Sequence, residues 1–600
     1  MENKSMHNFH IPVLGTGFSI DTPLKVARYG ISSVISLADD MLMERLRRFY
    51  LEKREEAYVP ITDEEEDSRA KRITAYLNIV NRIAKEQFHK LKESAFESGS
   101  EMVKYFSMLP DLSALKIRFN EMLVADNTLV ADIQKWLREN IRSGEIDVNI
   151  MTKLDKANYD SHGNQLPVEY NDAHAALRGF AKSELESSVV LSAGMNPKLF
   201  SYMETFNDFY PASDGRFKKK IIIKVSDFRS AFIQGRFLAK KGLWVSEYRI
   251  ESGLNCGGHA FATDGYLLGP ILEEFKEKKE ELLNSVTALY TEALNKKNRH
   301  YNIDSLKIEF TVQGGVGNSA EHNFLIRKYG VKSVGWGTPF LLVPEVMNVD
   351  KDTLEALSKA GENDVYLSNV SPLGVPFNYL SGSKKELEKI ERIENGKPGS
   401  LCPKKYITFN KEFSDKPLCT ASITYINKKI KELKEKLIFP EEYKKEVEKV
   451  TDKVCLCLGL GASALSVNDI ETPKTSNATA VCPGPNIAYF SKIATLKEMV
   501  DHIYDRINLI TAAHRPNMFI KELSLYIDYF MNKLDESIKP HSAQVEEYFN
   551  NFHNNLVDGI NYYKNLIPEL KEETIKAREK IIRDLEELEN KIISKIFVAT

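Results

Sequence analysis

The sequence predicts an α/β chain built on a (β/α)8 TIM barrel, with a helical insertion and a C-terminal extension that is first cysteine-rich and then helical. Two observations predict it. Eight short apolar runs lie within about the first 345 residues, mostly separated by helical patterns, and eight β-α units are the count of that barrel. Glycine-rich turns close the seventh and eighth runs, where barrels of this kind bind phosphate. A doubly wound parallel sheet is the alternative that the same alternation allows.

The elements follow in order. IPVLGTG (11–17) reads as the first strand, with a helix from Thr22, and ISSVISL (31–37) as the second. From Asp40 to Ser143 the chain is charged and helical, with the acidic run DEEEDS as a solvated loop. Strand patterns resume with IDVNIMT (146–152), SSVVLSAG (187–194), KKIIIKV (219–225), LWVSEYRI (243–250), LKIEFTVQGGVG (306–317) and KSVGWGTPF (332–340). The expected division is barrel start over 1–39, helical insertion over 40–143, the rest of the barrel over 144–345, a cysteine-rich region over 346–495 and helices over 496–600. The final charged run, LKEETIKAREKIIRDLEELENKIISKIF, repeats apolar residues at helical spacing. It reads as packing on the barrel or on a partner helix.

Composition narrows the function classes. A chain of 600 residues implies two to four units. The 82 basic and 85 acidic residues give a net charge of −3, which offers no global attraction for nucleic acid. MENKSMHNFH lacks the apolar core of a signal peptide, and no stretch reaches the ~20 continuous apolar residues of a membrane span. A cytoplasmic protein with no membrane partner is the expectation.

Two stretches carry chemistry. In SGLNCGGHAFATDG (252–265) a strand runs into Gly257 and Gly258, which let backbone approach something flat or charged, and then into His259. Histidine is the usual proton carrier near neutral pH, although an incidental histidine in a tight turn has the same appearance. In QGGVGNSAEHNFLIRKYGVKSVGWGTPF, Gly314, Gly315 and Gly317 end the seventh strand and Gly335, Gly337 and Thr338 the eighth. Neighbouring strand ends with bare backbone N–H groups suit a phosphate.

This succession of motifs resembles the nitronate monooxygenase (2-nitropropane dioxygenase-like) family of FMN-dependent barrels, which includes the flavin-type enoyl-acyl-carrier-protein reductases. The likeness covers about residues 9–345 without the insertion. It rests on the proline-containing first turn IPVLGTGFSIDTP with Gly15, on Asn149 in DVNIM, on Gly257–Gly258–His259, and on Gly314–Gly315–Val316 with Gly337–Thr338. The resemblance implies that FMN lies over the strand ends and that His259 faces the substrate. His259 is then a general acid or base, or a histidine that only packs on the cofactor. Lys224, ending the fifth strand, stands where it could reach the flavin or a substrate anion. Asn255-Cys256 replaces the acidic residue usual before Gly-Gly-His, which puts the usual substrate in doubt. Cys256 reads as a small buried thiol.

Five of the six cysteines, Cys402, Cys419, Cys455, Cys457 and Cys482, fall in 81 residues. Their spacing fits neither a zinc ribbon nor a bacterial ferredoxin run. The expectation is a [4Fe–4S] cluster on Cys402, Cys419, Cys482 and one of Cys455 or Cys457, the last two on one face of an extended segment. Structural zinc is the second choice, and unliganded buried thiols the third.

The expected function is an FMN-dependent oxidoreductase acting on an activated double bond or a similar electron-poor small molecule, with an iron–sulfur centre feeding the flavin. Nitronate oxidation is the alternative enzyme. A non-catalytic flavin, electron-relay or scaffold subunit is the alternative of another class. An external electron-donor protein and a homo-oligomer are left open.

Overall fold

The computed structural model describes residues 6–599 other than 193, 437–438, 472–475 and 538–541. Ala193 of the run 187–194, and the first five residues of the leader reading, lie outside the described residues. Eight parallel strands close on themselves in sequence order: β1 (Phe9–Ile11), β2 (Ser32–Ser36), β3 (Ile146–Met151), β4 (Ser187–Ser192), β5 (Lys219–Val225), β6 (Val245–Glu251), β7 (Glu309–Gln313) and β8 (Ser333–Gly335). Closure is direct, with Phe9 opposite Val334 and His10 opposite Ser32. This is a (β/α)8 barrel, and the doubly wound alternative falls away.

The strand ends differ from the sequence reading in one useful way. β1 stops at Ile11, because Pro12 has no N–H to continue the ladder. Pro12 to Gly17 therefore form a loop above the barrel, not a strand. The glycines of QGGVG likewise stand outside β7.

Alternation along the strands fills the interior. β6 turns Tyr248 and Ile250 outward into the main core, and leaves Glu247, Arg249 and Glu251 on the inner face. Val34, Val190 and Ile222, with Val13, form a small apolar cluster apart from the main core. The barrel is thus plugged by a thin apolar layer between polar ones.

Five helices, Asp40–Lys53, Ser68–Glu93, Glu101–Met108, Ala114–Val124 and Asn127–Asn140, stand between β2 and β3. Ser68–Glu93 packs on the barrel helix Asp172–Lys182. The approach is close because a Cβ on Gly179 would stand 2.8 Å from Ile73, and the Thr74 hydroxyl donates to the Gly179 carbonyl at 2.9 Å.

The extension folds back over the barrel mouth. It begins with a helix, Lys351–Lys359, followed by an antiparallel pair, β9 (Val365–Ser368) and β10 (Phe377–Leu380). KVCLCLGLGASAL is not extended: Cys455 caps a helix, Leu456–Val467, that is buried from Leu456 to Leu465. A helix apolar on every side belongs inside a protein. Its glycines give close contact. The Gly17 N–H donates to the Leu460 carbonyl at 3.0 Å, and a Cβ on Gly459 would meet Ala480 at 2.7 Å. The last helices, Met518–Glu536, Ala543–Leu566 and Ile575–Ala599, pack on one another, and Ala543–Leu566 also packs on Leu268–Glu277. Among the described residues no single helix is long and apolar enough to cross a membrane.

Candidate active site at the C-terminal end of the barrel

All eight strand ends feed one cavity of about 240 Å³. The loop Pro12–Thr16 closes one side, Asn149, Ser192, Lys224 and Glu251 form the floor, and the glycine turns line the wall. Ten of the eleven residues expected to hold a cofactor line it: Gly15, Asn149, Lys224, Gly257, Gly258, Gly314, Gly315, Gly335, Gly337 and Thr338, together with His259. Gly317 is the exception. Its N–H donates to Glu321 at 2.9 Å, its carbonyl accepts from His502 at 2.9 Å, and Arg515 fills the space a Cβ would take.

The glycines do not all serve one purpose. Gly314 and Gly315 hold positive φ angles of 112° and 85°. Added Cβ atoms would fall 2.7 Å from the Cys256 thiol and 2.1 Å from the Asn255 amide. Their bareness makes room for protein first, so a bulky residue there breaks the wall itself. Gly258 differs: φ is 78° and a Cβ would meet nothing within 4 Å. It is the glycine of this set whose open side borders empty space.

The floor is charged but paired. Lys224 meets Glu251 at 2.8 Å, and the Gln313 amide donates to Glu251 at 3.0 Å. Lys224 is the one Lys or Arg among the described residues lining the cavity. The Asn149 amide donates to the Ser192 hydroxyl at 3.0 Å. Two buried side-chain oxygens at the cavity have no protein partner: Thr16 Oγ1 and Asn255 Oδ1. A buried polar atom left unpaired costs about 1–3 kcal/mol, so this wall is arranged for a polar occupant.

His259 is pinned by the extension. Its ring Nε2 lies 2.7 Å from the Ser371 hydroxyl, and Phe377 stands edge-on at 4.8 Å. The Ala260 N–H donates to the Pro376 carbonyl and the Asn378 N–H to the Gly258 carbonyl. Burial lowers the His259 pKa to about 4, so the ring is neutral at physiological pH. Cys256 is pushed far upward by burial and by Glu251, and it stays a thiol.

The glycine wall is stapled from behind. Arg515 donates to the Gly315 carbonyl at 2.7 Å and to Asn486 at 2.9 Å, and pairs with Glu321 at 2.7 Å. Its charge is spent on that carboxylate, so any phosphate at this end depends on backbone N–H groups.

Sequence reasoning missed Glu251, Ser371, Asn255 as a wall residue, and the staple Arg515–Glu321. Glu251 was findable, because it ends β6 directly before SGLNCGGHAFATDG. Ser371 and Arg515 arrive from more than a hundred residues away, and no local pattern marks them.

The five crowded cysteines do not form one set. Cys402, Cys419, Cys455 and Cys457 are neighbours. Cys482 sits at the cavity beside Gly15 and Gly258, where its carbonyl accepts from the Gly258 N–H at 3.2 Å. The expected ligand set with Cys482 is corrected on that ground. Among the described residues no group of three or more His, Cys, Asp or Glu is placed to hold a metal ion.

No protein-family model and no curated protein matches the chain. Several solved structures are similar to it, two of them as follows. One is the enoyl reductase domain of MlnA from the macrolactin biosynthesis cluster of Bacillus amyloliquefaciens, with 14% identity over 71% of this chain and 88% of that one, at a TM-score of 0.30. The other is nitroalkane oxidase from Streptomyces ansochromogenes, with 11% identity over 63% and 85%, at a TM-score of 0.28. At such scores the likeness carries no argument. The barrel stands on its own strand order.

Proposed function

We propose that the chain is an FMN-dependent oxidoreductase that works at the C-terminal mouth of its barrel. One observation carries the reading. The glycine turns of β6, β7 and β8, Asn149 and Lys224 come from distant parts of the sequence and line a single cavity with unpaired polar oxygens. When bound, the flavin would supply hydride transfer to an activated double bond or a similar electron-poor group.

The chain's own residues have separate tasks. Gly314–Gly315 and Gly337–Thr338 offer backbone N–H groups to the phosphate, as the motif resemblance implies. Asn255 and Thr16 offer acceptors to polar edges. Lys224 brings a positive charge to the floor, with Glu251 holding it in place. His259, kept neutral, holds one N–H and one bare nitrogen, and Ser371 holds the ring in place through Nε2. A neutral imidazole with so low a pKa is a poor store of protons at pH 7, so its role is to hydrogen-bond the reacting group. The extension excludes water by covering the mouth.

The test is the flavin itself. Full-length protein should release stoichiometric FMN on acid denaturation. Gly258→Ala should fold and release little, because the new methyl enters open space and the left-handed backbone costs only about 1–2 kcal/mol. A colourless wild-type protein that FMN does not stabilise against heat would overturn the proposal.

A further inference from the structure

We propose that Lys224 gives the proton to the double bond being reduced, and that Glu251, Gln313 and His10 position it. The inference deepens the flavin-dependent reading above and rests on it. Alternation along β5 aims the side chain. Ile221, Ile223 and Val225 turn outward into the main core, while Ile222 joins Val34 and Val190 in the apolar plug. Lys224 comes two residues after Ile222, so it stands on the plug and rises into the cavity that it lines. Its ammonium has three N–H bonds. Glu251 takes one, at 2.8 Å, and the lysine side chain stays 16% exposed. N–H bonds are left for a molecule in the cavity.

One layer of the barrel holds Glu251 in turn. Strand register sets Glu251 beside Gln313, Gln313 beside Gly335, and Gly335 beside His10, on β6, β7, β8 and β1. The Gln313 amide donates to Glu251 at 3.0 Å. Gly335 is the gap in this layer. A Cβ there would fall 2.6 Å from the Gln313 Cβ and 3.0 Å from His10 Nε2. Its bareness lets both long side chains use the same space. On the far side of the ring, His10 Nδ1 lies 2.9 Å from the Ser333 hydroxyl. His10, Gln313 and Ser333 are all buried.

The other protons at the cavity are committed. The Tyr406 hydroxyl lies 3.2 Å from the Asp39 carboxylate and 3.0 Å from that of Asp40. His259 is neutral and spends Nε2 on Ser371. Burial pushes the Cys256 and Cys482 thiols upward, so both keep their protons. The step balances. Negative charge builds on the substrate as hydride arrives, and the ammonium is drawn to it. The substrate carbon that does not take the hydride takes its proton from Lys224. One N–H bond breaks, its electron pair stays on nitrogen, and a C–H bond forms. A proton from solvent then restores the ammonium, so each double bond consumes one hydride and one proton.

The test uses full-length wild type, Lys224→Met, Lys224→Arg and His10→Leu. FMN content and the midpoint potential of bound FMN are measured first. Both should match wild type in every variant, because the ammonium serves the substrate and not the flavin. Each protein is then reduced with dithionite without oxygen and mixed with 2-cyclohexen-1-one, and the return of oxidised flavin absorbance gives the rate. Lys224→Met should lose about 10²–10⁴-fold, and added methylammonium should recover part of it. Lys224→Arg should stay slow, because a guanidinium gives up no proton. His10→Leu should lose up to about tenfold, and nothing further in the Lys224→Met background. If Lys224→Met does not fold, Lys224→Arg carries the test, because it keeps the charge beside Glu251. A shifted potential in either lysine variant would assign Lys224 to the flavin, and full turnover in Lys224→Arg would make it a charge and not a donor. Either result overturns the proposal, as does a flavin-bearing wild type that 2-cyclohexen-1-one does not reoxidise. A wild type without FMN would instead overturn the flavin-dependent reading, and this inference with it.

Discussion

The two ends of the barrel use the same kinds of residue to opposite ends. At the N-terminal end, Glu247 accepts from Arg249 at 2.8 Å and from Thr311 at 2.6 Å, Asp147 accepts from the Ser188 N–H at 3.0 Å, and His10 meets Ser333 at 2.9 Å. Only about 70 Å³ of space remains there. At the C-terminal end about 240 Å³ is open, and two side-chain oxygens of its lining have no partners. Ser33 Oγ is unpartnered lower down, so the contrast is one of degree. β6 runs through both ends, with Glu247 and Arg249 closed on each other below and Glu251 holding Lys224 in the cavity above. Buried charge therefore does not mark a site by itself. Buried charge beside empty space does.

The largest expected effect breaks the lower end. Arg249→Met leaves Glu247 buried beside a thioether, which costs about 3–5 kcal/mol. Urea unfolding should move by that amount, while FMN per folded molecule stays unchanged. Loss of flavin at undiminished stability would mean that the two ends are not separate. Next in size, His259→Ala should keep its flavin and lose about 10²–10³ in turnover, the usual loss for one hydrogen-bond donor at a reacting oxygen. Because His259 titrates at about 4, wild-type turnover should show no inflection from this residue between about pH 6 and pH 8. An inflection near 6.5 that vanishes in the variant would restore the histidine as a proton carrier.

A third test sharpens the contrast through pH. Burial and Glu145 raise Asp147 to about 7, so the folded state keeps its proton there while the unfolded carboxyl gives it up above about 3.8. Its contribution to stability is full below about pH 4 and is lost as pH rises towards 7. Buried His7 and His259, lowered to about 4, have the opposite sign: their contribution is full above about 6.5 and is lost as pH falls towards 4. Asp147→Asn removes the opposing slope. Stability should then rise more steeply between about pH 5 and pH 6.5, by roughly 1.4 kcal/mol per pH unit. Equal slopes in variant and wild type would place Asp147 in contact with water.

The legible parts of the molecule were those with short-range causes. KKIIIKV is β5 residue for residue, because a run apolar enough to be buried on both faces has no other stable home in an α/β chain. The glycine turns and Gly-Gly-His were legible because only glycine tolerates their φ angles and close approaches. KVCLCLGLGASAL misled, because glycine beside cysteine suggests a turn, whereas here the glycines let a buried helix touch its neighbours. Cys482 was grouped with the wrong partners for a similar reason. Distance along the chain says nothing about which loop folds back onto the cavity.

The smallest effect lies at the seam between barrel and extension. Ser371 is fully buried in the loop joining β9 and β10, where its hydroxyl accepts from the Leu373 N–H at 3.2 Å and meets His259 at 2.7 Å. It is a positioning residue, because it reaches the cavity only through the imidazole. Ser371→Ala removes one neutral hydrogen bond, worth about 1 kcal/mol, or roughly a fivefold loss of turnover. A merely structural serine would give a similar number, so the decisive reading is the double-mutant cycle. With His259 already alanine, removing the Ser371 hydroxyl should cost nothing more in turnover, and Ser371→Thr should recover most of the single-mutant loss. Additive losses would show that the β9–β10 loop supports the cavity by packing alone.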